Sequence, residues 1–189
     1  MTSVATPGKR SARDRLLETA DRLFDAEGTD AVGIDRILEE SGVAKGSLYY
    51  NFSGKAELVT EYYLRQHARW VGRIADAVQR QEHPRAKILA IFDELGTIFT
   101  EPDFRGCALN NSSADTRAGS PKDLAVRKFR SWLHALFREP VTQLGVDDPD
   151  QLVAQLVLLF DGANIAANTG STRTAAGSAR TIAEAILPG

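Results

Sequence analysis

Cysteine is almost missing from this chain: Cys107 stands alone among 189 residues, so no internal disulfide and no multi-thiolate metal site can form. The fold must rest on packing, and the cysteine usage fits a reducing, cytoplasmic setting. Long apolar runs are missing too. Runs such as Leu156 to Phe160, which stops at Asp161, fall far short of the ~20 residues a membrane helix needs, so no membrane association is expected. Residues 1–10 carry Pro7, Gly8, Lys9 and Arg10 with no apolar stretch behind them, which reads as a flexible arm and not as a signal peptide. Neither sign of charge is in excess: 23 basic residues face 25 acidic ones, for a net charge of -2. Bulk attraction to nucleic acid is thereby excluded, and any such binding needs a local cluster of cations. No HExxH, GxGxxG, P-loop or GxSxG pattern occurs, and His67, His83 and His134 stand apart without a paired nucleophile. An enzyme is therefore not expected, nor a metal or cofactor. Strand-like alternation and internal repeats are absent as well.

What is present is helical. With 43% hydrophobic residues the chain can bury a core. Ser11 is placed to cap a first helix bearing Leu16, Leu17, Ala20, Leu23 and Phe24 on one face, with Gly28 as its stop. Gly33 to Ser41 reads as a second helix, Ser41-Gly42-Val43 as a tight turn, and Lys45 to Asn51 as a third helix with Leu48 inward. Ser53 can cap a long fourth helix from Lys55 toward Gln81, striped with Val59, Tyr63, His67, Trp70, Ile74 and Val78. A fifth follows Pro84, with Ile88, Ile91, Phe92, Leu95, Ile98 and Phe99 inward. Phe104 to Ser120 reads as an irregular stretch holding a short helix. Pro121 then opens another helix, whose Leu124, Phe129, Trp132, Leu133, Leu136 and Phe137 are assigned inward. The segment from Asp150 to Asn168 is apolar on more than one face, and the last helix presents Ala175, Ala179, Ile182, Ala183 and Ile186. The expected fold is all-α: an arm to residue 10, a three-helix domain over 11–54 and a helical bundle over 55–189.

The stretch from Gly33 to Val59 carries the functional signal. A helix, a glycine turn and a short helix with an aromatic, polar outer side suit the major groove of DNA, with neighbouring donors for phosphates. Lys45 and Lys55 supply charge, while Ser47, Tyr49 and Tyr50 supply hydroxyls and rings. Arg10 and Arg13 could add backbone contacts. Tyr50 is open to two placements, against the first helix or at a phosphate.

Val43-Ala-Lys-Gly-Ser-Leu-Tyr-Tyr-Asn-Phe-Ser-Gly-Lys55 closely resembles the motif of the TetR family of transcriptional repressors. The resemblance puts Lys45, Gly46, Ser47, Tyr49 and Tyr50 on a recognition helix, Tyr49 foremost, and Lys55 at a phosphate. Gly33 departs from the threonine common at the start of the second helix, leaving its backbone amide for the phosphate. The resemblance further implies a homodimer on a palindromic operator in double-stranded DNA, with the last two helices pairing through Leu152, Leu156, Leu159, Phe160, Ala175, Ala179, Ile182 and Ile186. It also implies release by a small-molecule effector, apolar or aromatic in character. The residues assigned to that effector are Tyr63, His67, Trp70, Phe92, Phe99, Cys107, Asn110, Asn111, Phe129, Trp132 and Asn164, with His134 and Phe160 nearby and most of the group serving as core. Cys107 reads as a buried thiol, with a redox sensor as the alternative. A helical small-molecule-binding protein without DNA binding is the competing function.

Overall fold

The computed structural model describes residues 10–102, 104, 107, 118–171 and 174–188; Asn110 and Asn111 lie outside them. The described residues form helices and no strand: α1 (Ala12–Glu27), α2 (Ile34–Ser41), α3 (Lys45–Asn51), α4 (Lys55–Gln79), α5 (Pro84–Phe99), α6 (Pro121–Gln143), α7 (Pro149–Ala166) and α8 (Ala175–Ile186). They divide into two compact units, residues 1–62 and 63–189. The division falls inside α4, later than the boundary expected at residue 54. Its first two turns belong to the N-terminal unit because Leu58 and Tyr62 are buried there, Tyr62 donating a 2.6 Å hydrogen bond to Asp25 and meeting Phe24 edge-on.

In the N-terminal unit, Ser11 caps α1 as expected, its hydroxyl accepting from the Asp14 amide at 3.1 Å. Leu16, Leu17, Ala20, Leu23 and Phe24 bury against Ile37, Val43, Leu48 and Phe52. Gly28, at φ 83°, ends α1. Arg36 bridges Glu27 and Glu40, and Arg22 also pairs with Glu40, so α1 and α2 are braced by charge. Both guanidinium partners hold the Glu40 carboxyl below the usual carboxylate range, Arg22 first.

In the second unit, α7 packs against α6 and α8, and α5 against the same two helices. Every residue assigned inward on α5 is buried. An added Cβ on Gly96 would lie 3.7 Å from Ala176 Cβ, so small residues do let α5 and α8 come close. Arg85 donates to the carbonyls of Glu184, Leu187 and Pro188, satisfying the end of α8 with a cation. Arg130 grips both oxygens of Asp161 at 2.6 Å, tying α6 to α7.

Leu124 is a correction: it is 63% exposed, and Ala125 and Val126 face inward instead. At 100° per residue Leu124 stands about 140° from Phe129, off the stripe that Phe129, Leu133 and Phe137 define. The segment 149–171 is also long and apolar enough to cross a membrane by composition, although 44% of its most apolar window is buried inside the protein. One face of the helix, with Leu152, Leu156 and Phe160, packs into the core, and the other carries exposed Leu158 and Ile165.

Candidate nucleic-acid interface

The turn between α2 and α3 is built on Gly42, which takes the left-handed conformation at φ 62° and ψ 26°. Its amide donates to Glu39 O, the Ser41 hydroxyl donates to Leu38 O, and the Val43 amide donates to Ser41 Oγ. Buried Val43 plugs the corner. The short α3 is pinned by Leu48, which is fully buried, and by Phe52 just beyond it.

That anchor fixes what faces outward. Two residues from Leu48 in either direction means a rotation of about 200°, so Gly46 and Tyr50 stand almost opposite it. Tyr50 is 90% exposed and Tyr49 53% exposed. Packing of Tyr50 against α1 is thereby excluded. Lys45 is exposed beside them and Ser47 is half-buried, its carbonyl accepting from Asn51 Nδ2 at 2.7 Å. A Cβ added to Gly46 would meet no atom within 4 Å. Gly33 caps α2 by backbone alone, with no side-chain hydrogen bond, and it too faces open space.

The flanking cations divide into committed and uncommitted groups. Arg10 pairs with Glu18 at 2.6 Å; Arg13 pairs with Glu61 at 3.3 Å and lies over the Phe52 ring. Lys55 makes only a long 3.4 Å contact to Asp30 O, and Lys45 has no ion pair among the described residues. Arg15 is the cation that sequence reasoning passed over. Its Nη1 would lie 4.0 Å from a Cβ on Gly42, beside the turn, and its buried Nε has no hydrogen-bond partner. Its place opposite the turn is visible only once α1 is folded. At the start of α4, the Ser53 amide and hydroxyl hold the Glu57 carboxyl below its ordinary range.

In the second unit, Tyr63, His67, Trp70, Phe92, Phe99, Cys107, Phe129 and Asn164 are all buried, and Trp132 is half-buried. The structure gathers only some of them. His67 meets Phe129 and Trp132 edge-on at 6.2 and 6.1 Å, whereas Phe92 sits with Phe137 and Phe99 with Phe104. His134 is exposed. Burial, followed by the Lys128 charge, pushes the His67 imidazole below its ordinary value.

The residues assigned to a dimer surface need correction. Leu152, Leu156 and Phe160 are buried in the subunit's own core, on one side of α7. Leu158 and Ile165, at about 200° and 180° from Leu156, are 71% and 58% exposed. With Leu159, Ala163, Ala175, Ala179 and Ile182, Leu158 lines an open groove of about 340 Å³ between α7 and α8. Ile182 and Ile186 are exposed as assigned.

Residues 16–62 match the family model for bacterial regulatory proteins of the tetR family. The HTH-type transcriptional regulator LmrA of Bacillus subtilis is 30% identical over 147 residues, 72% of this chain and 74% of its own. The HTH-type transcriptional repressor KstR2 of Mycolicibacterium smegmatis is 32% identical over 83 residues, 43% of this chain and 40% of its own. Among solved structures, SCO4454, a TetR-family transcriptional regulator from Streptomyces coelicolor, superposes with a TM-score of 0.87 at 31% identity, covering 93% of this chain and 88% of that one.

Proposed function

From the premise that the chain belongs to the TetR family of transcriptional regulators, we propose that it represses by holding a palindromic operator as a homodimer and lets go when a small molecule enters its second unit. The observation that carries the reading is α3: a short helix anchored by Leu48 that turns Gly46, Tyr49 and Tyr50 outward on a glycine turn. Burying a tyrosine ring is favourable in ordinary folding, so a ring left 90% exposed on a helix of groove-fitting size argues for a partner. A helical carrier gives that ring no use.

Lys45, Lys55 and Arg15 contact phosphates in this reading, and the open Gly33 amide at the start of α2 adds a neutral donor. Arg10 and Arg13 reach DNA only by giving up Glu18 and Glu61. Pairing of α7 and α8 with their symmetry mates covers Leu158, Ile165 and Ile182 and sets two recognition helices ~34–36 Å apart, or a multiple of it. Effector binding favours a dimer whose spacing no longer fits the operator, as differential affinity for two states requires. The site of action is the cytoplasm, where the operator lies.

Fluorescence anisotropy with labelled DNA from the region flanking the protein's own gene, against scrambled DNA at two salt concentrations, tests this reading. Preference for the flanking DNA with a steep salt dependence is expected. Equal binding to both at each salt, repeated with a random-sequence selection that enriches no site, refutes it.

A further inference from the structure

Among the described residues of the second unit two polar side chains are buried, His67 and Asn164, and each keeps one atom without a hydrogen-bond partner, Nδ1 of the imidazole and Oδ1 of the amide. They are ends of one run. His67 on α4 meets Phe129 and Trp132 on α6; Phe129 and Trp132 are 5.5 Å apart; Phe129 meets Phe160 on α7 at 6.2 Å; and Asn164 stands one turn beyond Phe160. Half-buried Trp132 brings the run toward the surface.

The polarity of the Asn164 end follows from its bond. Asn164 Nδ2 donates to Phe160 O at 2.9 Å, and only the amide nitrogen can serve that carbonyl, so Oδ1 is the orphan and can do nothing but accept. Burial favours the neutral imidazole of His67, whose Nδ1 accepts in one tautomer and donates in the other, so the donor requirement rests on Asn164. Buried polar atoms are almost always satisfied in folded proteins, and two such exceptions flanking one aromatic run point to a ligand that completes them. Among the described residues of this unit no Asp, Glu, Lys or Arg is buried, and the charge that acts on the run is that of Lys128, at the His67 end.

We propose that the effector is an aromatic molecule carrying a hydroxyl or N–H donor, stacked along Trp132, Phe129 and Phe160 and donating to Asn164 Oδ1. The proposal rests on the effector reading given above and narrows it to a chemical class: a donor is required and an acceptor alone does not serve.

The test is a panel of one- to three-ring phenols, each beside its methyl ether and the matching carboxylate. Binding to the full chain is followed by calorimetry, and operator release by anisotropy. Phenols should bind at least about tenfold more tightly than their ethers, the worth of one buried hydrogen bond. Asn164→Leu should remove that preference without lowering Tm, because it deletes an unsatisfied buried carbonyl; His67→Phe is the second variant. Ethers or carboxylates that bind as well as the phenols, or a panel from which nothing binds, overturn the donor assignment. If carboxylates bind and release the operator, the donor assignment fails while the effector reading stands. If phenols bind through Asn164 yet never release DNA, the site stands and the effector reading fails.

Discussion

Gly46 sits inside a seven-residue helix, where glycine costs about 1 kcal/mol relative to alanine, and nothing in the folded chain occupies the space a Cβ would take. Its cost is explained if DNA comes close at that point. Gly46→Ala should therefore raise Tm by ~2–3 °C in a thermal melt while weakening operator affinity in anisotropy. A variant that gains stability and keeps full affinity would leave the glycine without a role at DNA. Tyr49 is tested by its hydroxyl: Tyr49→Phe should weaken operator binding by roughly three- to tenfold, the range of one hydrogen bond, with the circular dichroism and dimer unchanged. Unaltered affinity would remove that hydroxyl from the contact set. At this scale the sequence was informative about residue type and poor about direction. Tyr49 and Tyr50 are adjacent and chemically alike in the sequence, and only the burial of Leu48 makes Tyr50 the more projecting of the two.

The helices themselves were legible where punctuation is strong. Ser11 and Gly28 bound α1, Gly42 separates α2 from α3, and Pro84 opens α5, each for a backbone reason that acts locally. Nothing local marks residue 62 inside α4, so the division there was invisible. Nor does composition say which face of α7 is covered, since Leu156 and Leu158 are the same residue on opposite sides. The uncapped start of α2 yields a prediction: Gly33 has an extended backbone at φ -80°, which threonine adopts without strain, and its surroundings are open. Gly33→Thr should stabilise the protein by ~0.5–1 kcal/mol through the cap and the stiffer unfolded chain, read as a higher urea midpoint with unchanged slope. A lower midpoint would show that the hydroxyl does not reach the α2 amides. On α7, Leu158→Asp should leave the monomer folded and shift sedimentation to the monomer, because the side chain points away from the core. A dimer that survives the charge would place the subunit contact elsewhere.

The whole molecule is slightly acidic, yet its expected partner is a polyanion. Its arginines in the N-terminal unit are largely spent on glutamates, which leaves Lys45, Lys55 and Arg15 as uncommitted cations among the described residues of each subunit. Six phosphate contacts per dimer give a slope of log affinity against log salt near -5, and Lys55→Ala should reduce its magnitude by about 2. A slope of -10 would mean that the arginine pairs open on DNA. The exposed leucine and isoleucines of α7 and α8 bear on dose. Each chain carries a single recognition helix, so the amount of protein enters twice. Below the dimer's dissociation constant, halving the cellular supply cuts operator occupancy about fourfold, and a modest fall in synthesis then acts as a switch in its own right.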